Sequence, residues 1–140
     1  MMAKKTLLND EARKERLKAL NYERRMLRAT AMALASGIIE NQLVLNTFIE
    51  SFLIHARLLI EFLYEPRKKD DDIRPGDWLD PHEWRKIRGK KSKLLTKTYE
   101  DAHKYLAHLT GTRLNQKRTW DCPAILREIE TLLDKFFQQL

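Results

Sequence analysis

Two of the four histidines in this chain fall within Tyr99-Glu100-Asp101-Ala102-His103-Lys104-Tyr105-Leu106-Ala107-His108, the best local candidate for chemistry. Glu100, Lys104 and His108 are spaced by four, which on an α-helix leaves successive members about 40° apart and builds one polar ridge. An imidazole titrates near neutrality, so His108 can serve as a general acid or orient a phosphate, while His103 and Lys104 can hold phosphate oxygens. On an ideal helix His103 is rotated well away from His108. The two converge on one phosphate where the helix ends or distorts near Leu109, or where a second subunit supplies part of the site. The alternative for His108, beside Leu106, Ala107 and Leu109, is a structural histidine with its hydrogen bonds satisfied.

A second group of ionisable residues interrupts an apolar segment, NTFIESFLIHARLLIEFLY, from Asn46 to Tyr64. Phe48, Ile49, Phe52, Leu53, Ala56, Leu59, Ile60 and Leu63 follow the helical repeat, and Ile54, Leu58 and Phe62 widen the stripe. A helix apolar on most sides is expected to be buried on most sides, so Glu50, His55, Arg57 and Glu61 need partners. Arg57 and Glu61 are four apart and can pair, with Glu50 two turns away on the same side. The favoured reading is a charge network bridging this helix to a neighbour; the competing one is a catalytic role beside a cleft with shifted acidities.

Charge supplies the third group. The formal net charge is +7, and Arg85, Lys86, Arg88, Lys90, Lys91, Lys93 and Lys97 form a run without an acid that equals the whole excess. From Met1 to Arg28, nine basic residues outnumber four acidic ones. Such patches suit polyanions such as nucleic acid, phosphate-bearing ligands or an acidic protein. A solvated basic face is the plainer reading of either patch alone.

Several chemistries are disfavoured. Glu100-x-x-His103 matches one element of a di-iron bundle, but such sites use it twice with two further glutamates, so no metal is expected. No Gly-rich phosphate loop, nucleophile elbow or zinc spacing occurs, and no cofactor is expected. The single cysteine, Cys122, excludes an internal disulfide and reads as a small residue near a helix start. The N-terminus lacks the apolar run of a signal peptide. Residues 38–64 invite a membrane-spanning assignment, but Glu40, Glu50, Arg57 and Glu61 would each cost a few kcal/mol at bilayer depth. A cytoplasmic protein without a membrane partner is expected.

The elements that must position these residues are helices. The chain has 140 residues, 43% of them hydrophobic, with only four Gly and four Pro, enough for one ordered domain over 1–140 with a loose tail at 1–8. A first helix is predicted from Asn9 or Asp10 to about Ala35, with Leu17, Leu20, Leu27, Ala31 and Leu34 on one stripe; Arg24 intrudes on it and can lay its stem over the core. Ser36 and Gly37 break the chain, and a second helix runs from about Glu40 to Tyr64, ended by Pro66. A long basic connection with Trp78 and Trp84 follows. Its Asp80-Pro81-His82-Glu83 reads as a cap, a first-turn proline and a short helical turn. A third helix is predicted from Ser92 to about Leu109, ended by Gly111, and a fourth after Asp121 with Pro123 in its first turn. Four long amphipathic helices make an all-α bundle the natural architecture.

The second helix, ESFLIHARLLIEFLY, together with HKYLAHLTGTR near the end of the third, resembles the HEPN superfamily of small helical bundles over about residues 10 to 138. Proteins of that superfamily usually carry an Arg separated from a following His by four to six residues, and many resemble metal-independent RNases. The resemblance implies a homodimer that brings two such motifs together, with Arg and His aligning a scissile phosphate for attack by a 2′-hydroxyl. Here His108 takes the histidine position, but the matching upstream positions are His103, Ala102 and Asp101, so the motif is degenerate. Arg57, or Arg113 after the third helix, substitutes for the absent arginine if the fold brings it near His108. The implied function is an RNA-directed protein, either an endoribonuclease of toxin or defence type or an inactive relative that binds RNA or nucleotide. In it the Arg85 to Lys97 run tracks the RNA backbone and an antitoxin-like or regulatory protein is a natural partner. The alternative is a non-catalytic dimeric module for protein interaction.

Overall fold

Each helix begins where a side chain satisfies the free N–H groups of its first turn. The computed structural model describes residues 8–107 and 119–140. Among them are five α-helices and one 3-10 turn, with no strand: α1 (Asp10–Ala35), α2 (Gln42–Tyr64), the turn Pro75–Asp77, α3 (Pro81–Arg88), α4 (Lys93–Ala107) and α5 (Cys122–Gln138). Asn9 accepts from the Ala12 amide at 2.8 Å, and Asp10 and Glu11 complement the positive end of α1. Asn41 accepts from the amides of Leu43 and Val44, so α2 starts at Gln42, two residues after the expected Glu40. Ser92 caps α4, accepting from Leu95 at 3.1 Å, and Asp121 caps α5, accepting from Ala124 at 3.1 Å. The expected loose tail, except for Leu8, and the expected end of the third helix at Leu109 and Gly111 lie outside the described residues.

Helix α2 is the hub, packing against α1, α4 and α5. Phe52, Leu53, Ala56, Leu59, Ile60, Phe62 and Leu63 are buried along it, opposite Leu20, Leu27 and Ala31 of α1 and Ile125, Ile129, Leu133 and Phe136 of α5. Fully burying one such side chain contributes about 1.5–3 kcal/mol. The expectation that α2 is buried on most sides does not hold. Ile54 and Leu58 are 48% and 43% exposed, and Tyr22 on α1, whose ring meets His55 of α2 edge to face at 6.2 Å, is 49% exposed. Ile54, Leu58 and Phe62 share one i, i+4, i+8 row, and Phe62 joins the core because Trp78 of the following connection and Phe136 of α5 cover it, with ring centres at 6.4 and 5.3 Å. By length and mean hydropathy, 1.5 over its most apolar window, α2 could also cross a membrane.

Polar side chains fasten the elements. Arg24 pairs with Asp134 at 3.0 Å and lies over the Phe137 ring, so its intrusion on the α1 stripe is a contact with α5. Arg28 and Glu130 repeat the link one turn on, at 2.7 Å. The connection after α2 closes one end of the core with tryptophans. Phe136 meets Phe62, Trp78 and Trp84 edge to face at 5.3, 5.5 and 5.8 Å, and Trp84 Nε1 donates to the Leu63 carbonyl at 3.1 Å. Each such ring pair adds about 0.5–1.5 kcal/mol beyond area burial.

Candidate nucleic-acid interface

The basic run is held by short, strongly specified pieces of structure. Asp80 accepts from His82 at 2.9 Å and Glu83 at 3.0 Å, Pro81 occupies the first turn, and buried Trp84 anchors α3. Arg85, Lys86 and Arg88 then fall on the last turn of α3, where cations suit the negative end of a helix. Gly89 follows with φ +69, a conformation that side-chain-bearing residues rarely adopt, and it turns the chain toward Lys90 and Lys91. Lys93 and Lys97, four apart, are exposed on the first turns of α4.

These cations divide by partner. Lys86 pairs with Glu83 at 3.5 Å, Lys91 with Glu65 at 3.7 Å, and Arg88 Nη1 donates to the Leu63 carbonyl at 3.0 Å. The side chains of Arg85, Lys90, Lys93 and Lys97 make no ion pair or hydrogen bond among the described residues. Two tyrosines lie under the run. The Arg88 guanidinium sits 4.7 Å from the Tyr64 ring centre, and Lys91 Nζ lies 5.6 Å from Tyr64 and 5.3 Å from Tyr99. Burial pushes the Tyr64 hydroxyl above the usual phenol range and weakens the hold of Arg88 on its proton, although an arginine stays charged at any physiological pH.

Two recesses meet at Tyr64 and Arg88. The larger, about 1220 Å³, is lined by Arg13, Arg16, Arg67, Arg74, Arg85 and Arg88. Four of these arginines are fasteners. Arg16 reaches Asp77 Oδ2 at 2.9 Å and the Asp72 carbonyl at 3.1 Å, Arg67 grips the same two residues, and Arg13 Nε donates to the Asp77 carbonyl at 2.9 Å. Arg74 donates to the Glu65 carbonyl at 3.0 Å and to Glu61 at 3.3 Å. The cluster therefore docks the acidic loop onto α1 and α2. The smaller recess, about 270 Å³, lies between the Gly89 turn and α5, where Arg127 joins Arg88 and Lys90. Neither Arg127 nor the arginine cluster was singled out in the sequence: the partners of Arg13 and Arg16 lie more than 50 residues away, and Arg127 meets Arg88 and Lys90 only across the fold.

The residues expected to do catalysis are brought together only in part. Arg57 does not pair with Glu61, which is engaged by Arg74 at 3.3 Å. Its guanidinium lies 5.6 Å from the Tyr99 ring on α4, and its Nε is buried without a hydrogen bond among the described residues. His55 donates instead to Glu23 on α1, and Glu50 is exposed. His103 and Lys104 are exposed one turn beyond Tyr99, with Lys104 Nζ 5.8 Å from the Tyr105 ring. His108 and Arg113 lie outside the described residues. No group of His, Cys, Asp and Glu among the described residues is arranged to hold a metal ion. Burial pushes the Cys122 thiol up to about 11, which leaves it protonated and unreactive at neutral pH.

No family model, no curated protein and no solved structure matches the chain.

Proposed function

We propose that this protein is an RNA-directed module, a HEPN-like bundle of four main helices that binds RNA along α3, the Gly89 turn and the start of α4. The observation that carries the reading is the set of uncommitted cations, Arg85, Lys90, Lys93 and Lys97, in a run that crosses the Tyr64 and Tyr99 rings. Unpaired Lys and Arg side chains exchange condensed counterions for phosphates, and that exchange drives sequence-independent binding. The tyrosines hold Arg88 and Lys91 in place by cation–π contact. Replacing Lys90, Lys93 and Lys97 by Gln together is expected to weaken binding of a single-stranded RNA at least tenfold at moderate salt. Equal affinity of the triple variant and the parent, measured by fluorescence anisotropy, contradicts this surface.

Cleavage of the bound RNA is a second reading, favoured by Arg57. Its guanidinium reaches α4 at Tyr99, one turn before His103, and keeps an unpartnered Nε–H, so it can supply the charge that the degenerate motif lacks. His108 would then be the general acid. Incubation with RNA in EDTA should give cleavage that His108→Ala abolishes; intact RNA, or equal cleavage by both proteins, rejects catalysis there.

The same reading takes the protein as a cytoplasmic homodimer. Tyr22, Ile54 and Leu58, each more than 40% exposed, offer an apolar patch on the outer face of α1 and α2 for a second copy. An antitoxin-like protein binding there instead would be the alternative interaction module, detected as a heteromeric rather than a homodimeric mass.

A further inference from the structure

Beside the exposed lysines lies a recess with a different character. It is bounded by the end of α3, the turn through Gly89, the first turn of α4 and the middle of α5, and its volume is about 270 Å³. Arg88, Lys90 and Arg127 line it, against one carboxylate, Glu128. That carboxylate is occupied, since Ser92 Oγ donates to Glu128 Oε2 at 2.9 Å. Lys90 and Arg127 make no ion pair among the described residues. Arg88 is fixed by its bond to the Leu63 carbonyl and by the Tyr64 ring, while its Nε–H is buried with no acceptor. A buried donor left unpaired is destabilising, and an oxyanion is the acceptor that relieves it best.

We propose that this recess is a phosphomonoester subsite that receives the phosphorylated end of an RNA strand. The inference rests on the RNA-directed reading above. A phosphomonoester carries about −1.5 to −2 charges and three acceptor oxygens, which suits three cations around one committed carboxylate. An internal phosphodiester carries a single charge and must continue as a strand on both sides. The volume is smaller than the roughly 300 Å³ at which pockets for drug-sized ligands begin, enough for one phosphate and its sugar. Tyr64 already carries Arg88 against its ring, so the subsite reads the phosphate and not the base. It stands at the start of α4, a helix length of about 22 Å from the last turn at Ala107.

The test compares short RNAs of one sequence that end in 5′-phosphate, 3′-phosphate or hydroxyl groups only, by fluorescence anisotropy, with adenosine monophosphate as competitor. One of the phosphorylated strands should bind about tenfold tighter than the hydroxyl strand, the competitor should erase that advantage, and Arg127→Gln should remove it while Arg127→Lys restores part of it. Circular dichroism of both variants reports folding independently. Equal binding of all three strands overturns the subsite and leaves the RNA reading standing. Binding of the monophosphate alone, lost in Arg127→Gln, keeps a phosphomonoester site but overturns RNA as its source. Binding of neither overturns both.

Discussion

Asp77 holds the connection between α2 and α3 in place. Its carboxylate is nearly inaccessible and is gripped by Arg16 at 2.9 Å and by Arg67, while its backbone carbonyl takes Arg13. Removing the carboxylate leaves two partly buried guanidinium groups without their counter-charge. Asp77→Ala is expected to destabilise the fold by about 3–4 kcal/mol, the lower side of the range for breaking a buried pair because both arginines keep some solvent. Urea unfolding measures it, and a change within about 0.5 kcal/mol, the scatter of surface substitutions, contradicts the assignment. Cys122 tests burial at the core end of α5. With the thiol held at about 11, the native protein should react with a thiol reagent at pH 8 at least ~100-fold more slowly than the unfolded chain; comparable rates contradict it. At this scale the sequence is legible where interactions are local. Asn9, Asp80 and Asp121 cap the helices that follow them, as their types and positions suggest. Asp77 was not legible, because its partner Arg16 stands 61 residues away and both read as solvated charge.

Among the elements, α2 shows both the strength and the limit of periodicity. Its repeat identifies the buried stripe correctly, but a helix with apolar residues on most sides does not say which sides have neighbours. Phe52 and Ile60 are wholly buried, whereas Ile54 and Leu58 face outward. Nor does spacing show partners, since Arg57 and Glu61 can pair on one helix yet each is drawn to a different element. If the outer face joins two copies, Leu58→Glu should convert a dimer to a monomer with its helical content intact, as read by light scattering. A monomeric parent protein contradicts that interface. The loop after α2 has its own dependence on acid. The amides of Lys68 and Lys69 donate to the Asp72 carboxylate at 2.9 and 3.0 Å, and these bonds first, with Arg74 and Arg67 adding to them, hold its pKa below the ordinary 3.8. A depressed folded value means the contribution to stability is complete above the ordinary value and is lost as pH falls through the folded one. Nuclear magnetic resonance should show Asp72 titrating below 3.8 with the Lys68 and Lys69 amides shifting in step. A midpoint at or above that value removes the capping role.

For the whole molecule, the excess charge and its folded position agree. The net charge of +7 is carried by a run that the fold leaves largely unpaired, at the end of the core that Trp84 closes. The all-helical class was legible because Gly and Pro are few and each long helix has its own apolar stripe. The recess between the Gly89 turn and α5 was not, since it joins Lys90 to Arg127 across a fold that no spacing reveals. The most direct test of the central claim is the salt dependence of RNA binding by the parent protein and by the Lys90→Gln, Lys93→Gln, Lys97→Gln triple variant. Four uncommitted cations on phosphates predict a slope of log affinity against log salt near about −3, and loss of three should bring it to about −1. A slope near zero in the parent protein, or the same steep slope in both, contradicts RNA binding along this surface.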